Sequence, residues 1–204
     1  GEVSGGKVTR SHKLPFCASK GEDDILTFII GELSKYITPH TRAIAIGVPS
    51  IVDTETGTIL DAVNIPAWQK FSLKSALEQH FSIPVYLNND VNCFVVGEHQ
   101  YGNAKKFDDV IGLCLGTGLG SGIILQNRLY AGQNCAAGEL GAIPYQNAFF
   151  DDFCSGKFFK DHYGLTGDKV ATKAMAGDAL SRQAFADFGE HLAQAISHLL
   201  LILD

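Results

Sequence analysis

The apolar run "IPVYL" (83–87) leads straight into Asn88, Asn89 and Asp90 and then into a segment of helical pattern. In open α/β sheets ligands collect beyond the carboxyl ends of strands, so a carboxylate at Asp90 is placed to accept a proton from, and to orient, a substrate hydroxyl. That chemistry suits phosphoryl transfer, where positioning and charge stabilisation do most of the work. Asn and Asp also cap helices, and the local residues fit that purpose equally well.

A second feature is "LCLGTGLGSGIIL" (113–125), in which Gly116, Gly118, Gly120 and Gly122 stand at every second position. A dinucleotide fingerprint, G-x-G-x-x-G, would need glycine at Ser121 and would open a helix. This run instead continues into Ile123, Ile124 and Leu125, then a turn at Gln126-Asn127-Arg128 and a further strand. Two readings stay open from the residues alone. One is a ligand-free glycine hairpin; the other is a phosphate cradle, in which bare backbone N–H groups converge on phosphate oxygens. Residues 1–8, GEVSGGKV, fit G-x-x-x-x-G-K but carry Val8 where a phosphate loop needs Ser or Thr, and no apolar strand precedes them.

Two loops add polar groups. Residues 47–68 carry Asn64, Pro66 and Trp68 after a strand end, a combination that suits a sugar, although a lone Trp serves as well in a core. "AAGELGAIPY" sets Glu139 beside glycine, where tight backbone can hold a carboxylate close to a ligand or simply expose it in a turn.

The elements that must position these groups alternate between helix and strand. Ile25, Ile29, Leu33 and Ile37 recur at intervals of four and predict an amphipathic helix over 24–37, with Asp23 and Asp24 at its positive end. "AIAIGVP" (43–49) reads as a strand covered on both faces. "FSLKSALEQHF" offers Ser72 as N-cap with Leu73, Leu77 and His80 on one side; "IPVYL" is the next strand; "VNCFVVGEHQYG" is a helix closed by Gly102. This alternation predicts parallel α/β structure. The polar stretch "NAKKFDD" before Val110 is the candidate domain junction. From Asp178 to Leu203, Phe185, Phe188, Leu192, Ile196, Leu199 and Leu203 mark one long helix.

A net charge of −6 gives nothing to attract DNA or an anionic membrane. No apolar stretch approaches the roughly 20 residues that span a bilayer, and the first residues lack the apolar centre of a signal peptide. A cytoplasmic protein is expected. Its five scattered cysteines, with no C-x-x-C, are then expected to be reduced thiols.

"GVP", "NIPAW", "LNNDVN", "LGTGLGSGIILQNRLYAG" and "AAGELG" occur in the order and approximate spacing of the ROK family (repressors, open reading frames, kinases), which residues 43–141 resemble. The resemblance implies an α/β, two-lobed actin-like (ribonuclease H-like) sugar kinase fold, incomplete at both ends. Residues 1–108 would form an N-terminal lobe with the sugar site and the catalytic base, and residues 109–204 a phosphate- and nucleotide-binding C-terminal lobe. It implies Asp90 as the base, and Asn89, Glu139, Asn64, Gly47, Pro49 and Ser50 at the sugar. Gly116, Thr117, Gly118 and Gly120 would hold ATP phosphate. The implied reaction is ATP- and magnesium-dependent phosphorylation of a hexose or hexose derivative in a homo-oligomer. The alternative is the sugar-sensing domain of a repressor, which would meet nucleic acid through an upstream helix-turn-helix.

Departures from the family pattern are concrete. Ala142 stands where family kinases carry a sugar- or zinc-binding His, and only Cys154 represents their zinc-binding cysteine cluster. Structural zinc wants four ligands, so none is expected. A later sugar-binding Glu falls on Gly156 when Cys154 is aligned with the family's last cysteine. The family's first strand, with Asp-x-Gly-x-Thr, and its adenosine-binding end are expected outside this chain, so the 204 residues alone are expected not to turn over.

Overall fold

The structure is a computed structural model describing residues 1–204 except Val63 and Asn64, with Asp61 described by its backbone. The chain divides into two compact units, Gly1–Val110 with Ile124–Ala136, and Ile111–Ile123 with Ala137–Asp204.

In the first unit the strands Ile44–Val48 and Val85–Asn89 pair in parallel, with Gly47 beside Asn88 and Val48 beside Asn89. Both carboxyl ends therefore finish side by side. The second strand runs two residues beyond the predicted apolar run, so Asn88 and Asn89 belong to it. The expectation that the first strand is covered on both faces is corrected. Ile44 and Val48 are buried but Ala45 and Gly47 are exposed, and on the partner Tyr86 is exposed between buried Val85 and Leu87. Packing among the described residues covers only one face.

A three-stranded antiparallel sheet, ordered Ile51–Asp53, Thr58–Asp61, Gln69–Phe71, follows the first strand directly. The helix Leu73–Phe81 buries Leu73 and Leu77 completely, each worth about 2 kcal/mol relative to exposure. His80, expected beside them, is exposed and lies edge-on to Phe81. Ser72 occupies the N-cap position without a side-chain cap bond. The helix predicted over 24–37 spans Glu22–Ser34. Tyr36 and Ile37 still donate to the Leu33 carbonyl before Pro39, which disfavours helical backbone in the residue ahead of it. Residues 1–10 form a hairpin, Glu2–Ser4 with Lys7–Arg10, whose turn places Gly5 and Gly6 in the left-handed region. These glycines serve a turn, as their poor fit to a phosphate loop suggested.

The second unit packs the strand pair Val110–Leu115 and Leu119–Leu125, over their residues 111–123, with helices Phe150–Phe153, Gly156–Tyr163, Gly167–Met175 and Ala179–Leu203. Its core is aromatic, with Phe150, Phe153, Phe158 and Phe159 around Leu119, Leu140 and Cys154. The Asp178 carboxylate caps the long helix by accepting from the Ser181 N–H at 2.8 Å. That helix buries Ser181, Ala184, Ala195 and Leu199, while Phe185, expected in its apolar stripe, is partly exposed. Small residues let neighbouring aromatic rings approach the helix axis, which the spacing of large residues alone does not reveal. No helix among the described residues is long and apolar enough to cross a membrane.

Candidate functional site

In the first unit, Gly47, Pro49, Ser50, Asn89 and Asp90 gather where the two parallel strands end. A Cβ on Gly47 would sit 3.2 Å from the Asp90 Cα, so the missing side chain lets the helix Asp90–Tyr101 start against the strand. Asn89 caps that helix, its Oδ1 accepting from the N–H of Val91 at 2.8 Å and of Asn92 at 3.1 Å. Its Nδ2 donates to the Ser50 carbonyl at 3.3 Å, tying the post-strand loop to the helix start. Asn88 Oδ1 accepts from Asn89 N–H and from the side chain of buried Asn92. Asp90 is thus free of the capping duty. Its carboxylate is exposed, accepts only from the adjacent Val91 N–H at 2.9 Å among its described bonds, and lies in the first turn of the helix. Burial, and secondarily the Asp90 charge, push the Cys93 thiol above its ordinary pKa.

Trp68 does not offer its face to a ligand. It is 2% exposed and stacks on Phe71 at 5.6 Å, an anchor for the loop. Asn64 lies outside the described residues.

In the second unit the glycine run resolves into distinct jobs. Gly116-Thr117-Gly118 forms the turn between strands, with the Gly116 N–H donating to the Gly118 carbonyl at 2.9 Å. Asp151 Oδ1 accepts from the Leu119 N–H at 2.6 Å, and the Gly156 N–H donates to the Gly116 carbonyl at 2.8 Å. The N–H groups of Thr117 and Gly118 take no part in these bonds. A side chain on Gly118 would run into the Asp151 carboxylate, so its bareness has an internal cause. Gly116 has none: its backbone is outside the left-handed region, and a Cβ there would meet nothing within 4 Å. Gly120 lies inside the following strand, beyond the turn.

Gly138, at φ +93°, presents its carbonyl to three donors, the N–H groups of Ser121 and Leu140 and the Ser121 hydroxyl. This fixes the loop carrying Glu139, which is exposed at the start of the short 3-10 helix Leu140–Ala142.

Asp151 and Lys157 are the functional-site neighbours that the sequence did not announce. They form an ion pair beside the glycine turn, and hydrogen bonding to Asp151 raises the Lys157 pKa. "DD" and "GK" are ordinary surface dipeptides, and only the fold brings them to residues 118–119. Gly156, which stands where the family pattern has a sugar-binding Glu, acts through its backbone on Gly116. Cys154 is fully buried, and burial followed by the charge of Asp151 pushes its thiol up to about 11, so the metal-binding thiolate is disfavoured. Among the described residues no group of three or more His, Cys, Asp or Glu is placed to hold a metal.

The sequence pattern of the ROK family matches residues 4–204. The chain belongs to the ROK family. It is 44% identical over 134 residues to the xylose repressor of Caldicellulosiruptor bescii, covering 64% of this chain and 33% of the repressor. It is 31% identical over 220 aligned positions to a beta-glucoside kinase of Listeria innocua, covering 98% of this chain and 72% of that protein. Among solved structures, a ROK family glucokinase from Streptomyces griseus in complex with glucose and AMPPNP superposes with a TM-score of 0.75 at 25% identity, over 89% of this chain and 69% of that one. The fold is therefore the actin-like fold of the ROK sugar kinases, and the relatives include both kinases and repressors. The ROK chain described here spans about a third of the xylose repressor's length.

Proposed function

We propose that the protein carrying this chain phosphorylates a hydroxyl of a hexose or hexose derivative with ATP. Its sugar-binding lobe is drawn from residues 1–108, all within the first unit, and its phosphate-binding lobe from the second unit, residues 111–123 and 137–204, because the segment 124–136, expected with the C-terminal lobe, belongs to the first unit. Asp90 accepts the proton of the reacting hydroxyl, leaving the oxygen to attack phosphorus. Gly47, Pro49, Ser50, Asn64, Asn89 and Glu139 hold the sugar. Asn89 contributes mainly by fixing Ser50 and the start of the Asp90 helix, because its Oδ1 is taken up by the cap.

The observation that carries this reading is Gly116. Neither backbone conformation nor packing within the chain requires glycine there, which leaves the bare backbone at the turn open to a ligand's approach. The N–H groups of Thr117 and Gly118, which donate in none of the described bonds, suit phosphate oxygens, with Gly120 keeping the strand behind them slim. ATP supplies the phosphoryl group when bound. Magnesium would enter as the counter-ion of the nucleotide phosphates and would neutralise their charge.

A sugar-sensing repressor is the second reading, favoured by the 44% identity to a xylose repressor. One assay separates the two: ATP-dependent turnover by the complete protein across hexoses, pentoses, amino sugars and N-acetylated sugars, beside DNA binding with and without each sugar. Turnover with any of them supports the kinase. Sugar binding that alters DNA affinity without turnover replaces it with the sensor.

A further inference from the structure

A cavity of about 470 Å³ lies wholly within the first unit, between the hairpin that follows Ser50 and the loop after the strand Arg128–Leu129. This is within the usual size of small-molecule sites, about 300–1,000 Å³. Asp53, Glu55 and Leu60 line one side; Gln133, Asn134 and Cys135 line the other.

The hairpin wall is fixed by its own bonds. Asp53 Oδ1 accepts from the N–H of Glu55 at 3.0 Å and of Thr56 at 3.2 Å, and the Gly57 N–H donates to the Asp53 carbonyl at 2.7 Å. Lys74 Nζ donates to the Glu55 carbonyl at 3.3 Å, bracing the hairpin tip on the helix Leu73–Phe81. Opposite, Gly132 at φ +75° and Cys135 at φ +58° give the loop a defined path.

The lining selects its ligand class. Among the described lining residues two carboxylates stand with no lysine or arginine, a lining that repels phosphates and other anions. The carboxamides of Gln133 and Asn134 both donate and accept, as a hydroxyl-rich neutral molecule requires. Leu60, 39% exposed, supplies an apolar surface for the C–H face of a ring. The strand Ile51–Asp53 leads from Ser50 to this cavity, and three residues of strand span about 10 Å. That is a separation one glycosidic linkage can bridge.

We propose that this cavity is a second carbohydrate subsite, taking the non-reacting ring of a disaccharide or similar glycoside whose other ring sits at Ser50 and Asp90. The proposal rests on the sugar site assigned above, but not on whether that site serves a kinase or a sensor.

The test reads binding. Calorimetry on the complete protein compares cellobiose with glucose and xylobiose with xylose, for wild type, Gln133→Ala and Asn134→Ala. The preferred disaccharide should bind at least tenfold more tightly than its monosaccharide. Each variant should weaken the disaccharide about fivefold to tenfold, the size of one or two lost hydrogen bonds, and leave the monosaccharide within twofold. Peptide mapping after alkylation gives a reading without mutation: the disaccharide should slow modification of Cys135 at least fivefold, the monosaccharide should not, and exposed Cys17 should be unaffected. Equal affinity for one ring and two, or variants that weaken both alike, overturns the subsite while the sugar site stands. Binding of none of the four overturns both.

Discussion

Asp151 Oδ1 receives the N–H of Leu119 at 2.6 Å, across 32 positions of sequence, while the same carboxylate pairs with Lys157. One side chain thus fixes the glycine turn at 116–118 to the helical part of the second unit. A carboxylate accepting a backbone N–H forms a stronger bond than a neutral acceptor, and removing it leaves the donor unmatched. Asp151→Ala should therefore lower stability by about 1–3 kcal/mol in urea unfolding, and Asp151→Asn, which retains an acceptor, by less. Equal losses for the two would show that the turn does not depend on this bond.

The two turn glycines should respond differently to the same change. Gly116→Ala enters open space, so the unfolding midpoint should stay within experimental error while ATP binding weakens by about tenfold, the cost of a displaced phosphate contact. Gly118→Ala presses on the Asp151 carboxylate and should lower stability as well. Unchanged nucleotide affinity in a well-folded Gly116→Ala protein would remove the phosphate assignment.

Asp90 and its neighbour Asn89 separate chemistry from scaffolding. Asp90→Asn should leave sugar affinity within several-fold and reduce turnover by on the order of a hundredfold or more. Asn89→Ala should cost about 1 kcal/mol of stability through the lost cap and should weaken sugar binding by removing the tie between the Ser50 carbonyl and the helix start. Near-normal turnover in Asp90→Asn would take Asp90 out of the mechanism.

His191 gives the second unit a pH dependence. Burial, then the nearby charge of His162, lower its pKa from the ordinary 6.5, with Asp187 and Glu190 pulling the other way. The unfolded chain takes up this proton before the folded one does. The stability tied to His191 is thus complete above about pH 6.5 and declines as pH falls through the interval down to the lowered folded value. Urea midpoints at pH 7.5 and 5.5 should differ more for the wild type than for His191→Phe, which also gives up the 3.0 Å bond between Tyr145 Oη and His191 Nδ1. An identical pH response in both proteins would rule His191 out as the cause.

What the sequence determined by itself was local. Hydrophobic spacing fixed the helices at 22–34, 73–81, 90–101 and 179–203 to within a few residues, because a buried stripe must recur at the helical period. The run from Val85 to Asp90 showed a strand delivering polar groups to a helix start, and the glycines showed a bare turn. Tertiary structure decided what each group is for. It made Asn89 rather than Asp90 the helix cap, took Trp68 into the core, and separated Gly118, bare for Asp151, from Gly116, bare without an internal cause. It also brought residues 53–60 against 131–135 to enclose a cavity. Such pairings carry no periodic signal. They arise from packing between segments far apart in the chain, where each residue type is ordinary and only its neighbour gives it a role.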